Sequence, residues 1–301
     1  MSYDGRMLRS FVLTLAATAT ACACADRPPA SPAGTYAAPS SGPATSIERP
    51  GISPACGQAA APAGVFPKKV PIFGKERSYT LFVPPGYVPG TSHALVFVLH
   101  GHGGNGAQIR SSFDLESVAN GKAIFVYPDG LGGGWDLDSP AEKNADVALF
   151  DAALALTQGS YCVDLRRVFV TGFSNGAYMA NQLGCRRGDR IRGVASHAGG
   201  GPYETAGSYD AEGNLVCSGK AVASLVVHGS ADGTVAPSEG QKSTDHWAHA
   251  NHCGGPGGHA PAGCSAPSNC TNAVMTCKVP GLGHSLWPRA RTVTWSFFES
   301  L

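Results

Sequence analysis

Five short runs share one pattern: ALVFVLH (94–100), AIFVYPDG (123–130), VFVTG (168–172), GVASHAGG (193–200) and SLVVHGSADG (224–233). In each, β-branched and other apolar residues follow one another without a polar break and give way to a glycine-containing loop. A strand with one face in water alternates apolar and polar residues, so continuous hydrophobicity marks strands buried on both faces. Helices must supply the cover. Candidates lie between the runs at 144–159, 176–184 and 238–251, and this order predicts an α/β fold with a mostly parallel central sheet flanked by helices. RSYTLFVPPGY (77–87) differs from the other runs and ends in prolines, which predicts an early antiparallel strand at the sheet edge.

The first 52 residues stand outside this pattern. Arg6 and Arg9 precede FVLTLAATATA and then CACAD, a basic start, a short apolar run and small residues suited to signal-peptidase cleavage, so residues 1–25 are expected to be an export signal. A lipid-anchored or periplasmic form through Cys22 or Cys24 is the lesser alternative, because the residues before each lack the usual leucine. Residues 26–52, rich in proline, serine and alanine, carry almost nothing to bury and are expected to be a flexible tether. The remaining 53–301 are expected to form a single domain. With 43% hydrophobic and 14% charged residues the chain can support a substantial core. No later run is long enough to span a membrane. A formal net charge of +1 without any lysine or arginine cluster gives no basis for a nucleic-acid partner, and none is expected. Nothing in the sequence specifies an oligomeric state.

Eight cysteines fall in the domain: Cys56, Cys162, Cys185, Cys217, Cys253, Cys264, Cys270 and Cys277. An even number in an exported chain predicts four disulfides, among them a Cys162–Cys185 link and links tying down the last four. Zinc would compete for those four with His252 and His259 close by, but there is no C-x2-C pair, and no metal is expected.

Within VFVTGFSNGAYMANQLG (168–184), Ser174 follows a strand directly and opens a helix between Gly172 and Gly176. Glycines at both ends allow the chain to fold back sharply and project the serine at the helix N-terminus, which is what a nucleophile elbow requires. An attacking serine also needs donors for the developing oxyanion. The HGHGG loop (100–104) after an earlier strand places the backbone N–H of His102 where it can join that of Asn175. The His102 side chain is then a lining or packing group. The acid and base should follow in that order, each at a strand end. Asp232 comes just after SLVVHG, and His284 lies in KVPGLGHSLWP (278–288) beyond the apolar run that holds Cys277. His246, His249 and His252 fall in or at the end of a helical segment and are expected to pack or face solvent, and His228 is expected to be structural.

The chain from PACGQAAAPAG onward resembles the secreted esterases related to feruloyl esterases and polyhydroxybutyrate depolymerases. The segments that carry the resemblance are RSYTLFVPPGY, LHGHGG, VDLRRVFVTGFSNGAYMANQLGC, VVHGSADGTV, DHWAHANHC, CKVPGLGHSLWP and TWSFFES. It implies an α/β-hydrolase fold, with Ser174 as nucleophile, Asp232 as acid, His284 as base and no cofactor. The early cysteine segment, a cysteine soon after the tryptophan-bearing helix and one on the strand before His284 look like single-domain feruloyl esterases. The implied substrate is therefore a feruloylated plant polysaccharide, with polyhydroxybutyrate depolymerase or acetylxylan esterase as alternatives. Ala177 stands where relatives often carry a second glycine after the elbow, a small-for-small change. Trp135, Trp287 and Phe173 are the candidate substrate-binding residues, since an aromatic face at these loops can stack on a phenolic ring or a sugar. Trp247, inside a helix, is expected in the core. A carbohydrate-binding protein is the non-enzymatic alternative, but it has no need of three chemically matched loops in hydrolase order.

Overall fold

The computed structural model describes residues 51–58, 61–255, 257–258 and 260–301. The expected export signal and all but the last two residues of the expected tether lie outside them. Ile52 and Ser53 already belong to the fold: Ile52 bridges to Asp164, and the Ser53 hydroxyl donates to the Tyr161 carbonyl at 2.7 Å.

The strands are β1 (Gly64–Ile72), β2 (Lys75–Val83), β3 (His93–Leu99), β4 (Ala123–Pro128), β5 (Val163–Phe173), β6 (Gly193–His197), β7 (Ala223–Gly229), β8 (Cys264–Ser265) and β9 (Val274–Val279). They form one sheet in the order β1-β2-β4-β3-β5-β6-β7-β9-β8. From β4 through β3, β5, β6 and β7 to β9 every pairing is parallel, and the antiparallel pairs lie towards the two ends. The helices are α1 (Gly106–Phe113), α2 (Leu115–Ala119), α3 (Ala145–Ser160), α4 (Asn175–Arg186), α5 (Pro237–Ala250) and α6 (Ala290–Glu299). This is the α/β-hydrolase arrangement.

The unbroken apolar runs are explained by cover on both sides. Every residue of β3 is buried; Leu95, Phe97 and Leu99 join one core with Phe150 of α3 and Met179 and Leu183 of α4. Val96 and Val98 join another with Ile109 and Phe113 of α1 and Val293, Phe297 and Phe298 of α6. Phe97 meets Phe150 at 4.6 Å between ring centroids, and Phe169 stacks on Phe298 at 4.4 Å. Among the described residues no helix is long and apolar enough to cross a membrane.

Two expectations need correction. RSYTLFVPPGY does form an antiparallel strand, β2, but β2 is not at the edge: β1 lies on one side of it and β4 on the other. The edge is β1, whose GVFPKKVPI carries two prolines and two lysines that an outer strand tolerates and an inner one does not. Its hairpin closes through Phe73 and Gly74, both at positive φ (48° and 77°), the turn geometry that suits the twist of paired strands.

The second correction concerns the cysteines. All eight are paired, as Cys56–Cys162, Cys185–Cys217, Cys253–Cys270 and Cys264–Cys277, with no Cys162–Cys185 bond. The reason is the rise per residue. From Ser174 back to Cys162 the strand covers about 40 Å, whereas from Ser174 on to Cys185 the returning helix covers only about 16 Å. Cys185 therefore stops far short of Cys162.

Candidate active site

The loops that follow the parallel strands gather at one edge of the sheet, where Ser174, Asp232 and His284 come together. Ser174 sits between β5 and α4 at φ 55° and ψ −120°, a conformation that non-glycine residues rarely adopt. Its N–H donates to the His197 carbonyl at the end of β6 (2.9 Å), and its own carbonyl accepts from Ala177 and Tyr178 in the first turn of α4. The turn is thereby held from both sides, and the hydroxyl points out of it. The His284 Nε2 lies 2.9 Å from Ser174 Oγ, and His284 Nδ1 lies 2.8 Å from Asp232 Oδ2. With Nδ1 donating to the carboxylate, Nε2 is left as the acceptor that a serine proton needs.

Asp232 is held more firmly than a single hydrogen bond would hold it. Its Oδ1 accepts from the backbone N–H groups of Thr234 and Val235, each at 2.9 Å. Burial pushes the carboxyl up, but the hydrogen bond from His284 and those from Val235 and Thr234 outweigh it, and the acid ends below its ordinary range. The ionised form is thereby favoured. His228, at the end of β7, adds a contact that the sequence did not disclose: its Nε2 reaches the Val235 carbonyl at 3.0 Å and Asp232 Oδ2 at 3.4 Å. His228 is structural in the sense expected of it, and the structure it supports is the acid loop.

The 100–104 loop lies directly over the elbow. A Cβ on Gly101 would stand 3.1 Å from Phe173 Cδ1, and one on Gly104 3.1 Å from the Gly101 carbonyl oxygen, so glycine at both positions suits the close packing of this loop on the elbow and on itself. Asn175 is the first residue of α4, where backbone N–H groups have no intrahelical partner. Among the described residues, neither its N–H nor that of His102 donates to a backbone acceptor. The His102 side chain is exposed.

The loop is braced by Trp135 and the Asn175 side chain and by three residues not singled out from the sequence, His100, Asp146 and Arg77. His100 is buried, which lowers its pKa and keeps the ring neutral. Its Nε2 accepts from the Gly130 N–H at 2.9 Å while Nδ1 donates to the Gly101 carbonyl at 2.8 Å. The Asn175 side chain accepts from the Trp135 N–H at 2.8 Å, and the Trp135 indole donates to the His100 carbonyl at 2.7 Å. Beneath them Asp146 accepts from the Asp136 N–H and pairs with Arg77, a guanidinium 2% exposed. The signal for these residues was polarity at the ends of apolar runs, which alone does not distinguish a brace from a catalytic group.

The three aromatic candidates are placed differently. Phe173 is half-buried with its ring centroid 4.9 Å from that of His284, beside the reacting atoms. Trp135 is 8% exposed and uses its indole N–H within the protein, so it forms part of the foundation of the 100–104 loop. Trp287 is half-buried, with the Arg289 guanidinium 4.8 Å from its ring centroid. His246 and Trp247 pack inside, Trp247 donating to Asn181 Oδ1 at 2.9 Å, and the exposed His249 pairs with Asp210 at 3.0 Å.

No protein-family model matches the chain. It is 35% identical over 243 residues to feruloyl esterase C of Emericella nidulans, an alignment covering 74% of this chain and 83% of that one. A probable feruloyl esterase C of Aspergillus flavus is 32% identical over 244 residues, covering 74% and 84%. Among solved structures, an acetyl xylan esterase from Aspergillus awamori superposes with a TM-score of 0.61 over 77% of this chain and 99% of its own, at 18% identity, a likeness of fold.

Proposed function

The chain belongs to the feruloyl esterase C family of α/β-hydrolases, and from that premise we propose that it is an exported serine esterase releasing ferulate from feruloylated plant polysaccharide. The observation that carries the reading is the continuous relay from Ser174 Oγ through His284 to Asp232, with both steps below 3 Å.

In this reaction His284 Nε2 takes the Ser174 proton as Oγ attacks the ester carbonyl. Asp232 fixes the imidazole and stabilises its charged form. The C=O π bond opens to a tetrahedral oxyanion, which the backbone N–H groups of His102 and Asn175 receive. Collapse breaks the bond to the sugar oxygen, and His284 returns its proton to that oxygen as the alcohol leaves. Water then enters, gives a proton to His284 and attacks the acyl-enzyme carbon. The second collapse releases the aromatic acid and restores the serine hydroxyl. Side chains, backbone and water account for every proton and bond. In this reading Phe173, whose ring lies beside His284, packs against the acyl group, and Trp287, three residues beyond the base, lends an aromatic face to the substrate.

The test is release of ferulate, acetate and 3-hydroxybutyrate from matched natural substrates by wild type and by Ser174→Ala. Ferulate should be released fastest, and the variant should lose several orders of magnitude in kcat/KM with an unchanged thermal melt. A folded Ser174→Ala that kept more than about a tenth of wild-type kcat/KM would sink the covalent mechanism. Preference for acetate or 3-hydroxybutyrate would sink the substrate assignment.

A further inference from the structure

The relay serves the acyl half of the ester, and the alcohol half needs a seat of its own. On the same edge of the sheet, a cleft of about 620 Å³ opens between the 201–215 loop and α5, a size within the usual range of small-molecule sites. The nucleophile's own helix, α4, contributes to its lining. Tyr178, one turn beyond Ser174, lines it and packs so tightly on the loop that a Cβ on Gly200 would lie 2.4 Å from the ring. The Tyr178 hydroxyl donates to Glu239 at 3.3 Å, and Glu239 stands in the first turn of α5, just after the Asp232 loop. The cleft thus takes Tyr178 and Glu239 from the first turns of the two helices that follow the Ser174 turn and the Asp232 loop.

The loop wall is firmly built. Asn181 donates to the Gly200 carbonyl at 2.6 Å, Gln182 donates to the carbonyls of Leu137 and Tyr203, and the Cys185–Cys217 disulfide ties the far end of the loop to α4. The lining chemistry is specific. Three tyrosines, Tyr178, Tyr203 and Tyr209, offer flat apolar rings with polar tips. Glu212, Glu239 and Asp245 supply acceptors against a single lysine, Lys242, which is itself paired with Glu239 at 2.6 Å. His246 adds no positive charge, because burial holds its pKa down to about 4. Such a wall repels anionic polymers and suits a ligand with many hydroxyl donors and apolar ring faces.

We infer that the cleft between the 201–215 loop and α5 binds the neutral oligosaccharide that carries the ester. The inference rests on the esterase reading of Ser174, and the experiment separates the two. Ser174→Ala protein is titrated calorimetrically with xylotetraose, which has no ester, and with tetragalacturonate, its anionic counterpart. Xylotetraose should bind, and tetragalacturonate should bind about tenfold more weakly or worse. Tyr209→Ala and Asp245→Ala should each weaken xylotetraose roughly three- to tenfold. Asp245 is an exposed side chain on a helix, so its variant reports on binding even if the Tyr209 variant disturbs the loop. In the active enzyme the same substitutions should lower the ratio of kcat/KM for a feruloylated xylo-oligosaccharide to that for methyl ferulate. An enzyme that hydrolyses methyl ferulate but whose xylotetraose binding is absent, or indifferent to both substitutions, overturns the cleft alone. One that binds xylotetraose but hydrolyses no feruloyl ester overturns the reaction, and with it the role of the cleft as the alcohol-side seat.

Discussion

Gly172 and Gly176 meet across the elbow so closely that a Cβ on Gly172 would lie 2.2 Å from the Gly176 carbonyl oxygen. A Cβ on Gly176 would in turn lie 2.5 Å from the carbonyl oxygens of both Leu99 and His100, at the end of β3. Backbone, unlike a flexible side-chain tip, cannot swing aside. Gly176→Ala should therefore push α4 away from the 100–104 loop and separate Ser174 from the His102 N–H. We expect a loss of about a hundredfold or more in kcat/KM, since displacements near 1 Å carry that cost. Paired activity and circular-dichroism melts check it: near-normal activity in a folded variant would show that the elbow yields.

His228, 4% exposed, contacts Asp232 and Val235 from within the protein, so its effect should fall on kcat. A Cβ on Gly240 would come within 2.5 Å of the imidazole Nδ1, so the ring is tightly enclosed by α5. His228→Leu should lower kcat roughly ten- to a hundredfold with little change in KM. If KM rises while kcat holds, His228 acts on the substrate and the positioning role is wrong.

The loop carrying His284 is anchored by backbone contacts more than by the neighbouring disulfide. Ala231 donates to the Leu282 carbonyl at 3.0 Å, Gly281 donates to the Ser230 hydroxyl at 2.9 Å, and a Cβ on Gly229 would strike the Leu282 oxygen at 2.1 Å. Cys264–Cys277 instead ties the two-residue β8 to the outer side of β9, whose inner side pairs with β7. Replacing both cysteines with serine should cost about 3 kcal/mol of stability and leave kcat near wild type below the melt. Gly229→Ala should do the reverse, lowering kcat while the protein stays folded. Kinetics and thermal melts of both variants decide between the two anchors.

Acid should destabilise the fold through its buried histidines. Burial lowers the pKa of His93, His100 and His197, and lowers that of His246 from 6.5 to about 4. Below pH 6.5 the unfolded chain takes up protons that the native chain refuses, so stability falls as pH drops. The share from His246 is lost progressively down to about pH 4 and amounts to something on the order of 3 kcal/mol. His246→Gln should flatten the fall of the melting temperature across that window. An unchanged slope would place the acid sensitivity elsewhere.

The parts legible in the sequence were those where one physical demand dominates. Burial on both faces wrote β3, β4 and β7 as unbroken apolar runs, and the sharp reversal at Ser174 demanded glycines at 172 and 176. β1 was illegible because an edge strand has no such demand: its lysines face water, and its prolines give up N–H groups that an outer strand can spare. With β1 unseen, β2 looked like the edge. The disulfide partners were hidden for another reason. Pairing depends on where chain ends arrive in space, and a strand and a helix of similar residue count end at very different heights. Trp135 and His100 show the same limit at the site, because only the hydrogen bonds of the folded loops reveal that they support the 100–104 turn.

The last two disulfides are staggered along the chain, Cys253 to Cys270 and Cys264 to Cys277, so that the second opens before the first has closed. A single proteolytic cut anywhere between Cys253 and Cys277 therefore leaves the two fragments joined by at least one covalent bridge. The Cys185–Cys217 bond does the same for a cut between those residues, which takes in the 201–215 loop. In a protease-rich medium, these bridged segments can thus be nicked without dividing the molecule, and integrity judged on a non-reducing gel will overstate the continuity of its chain.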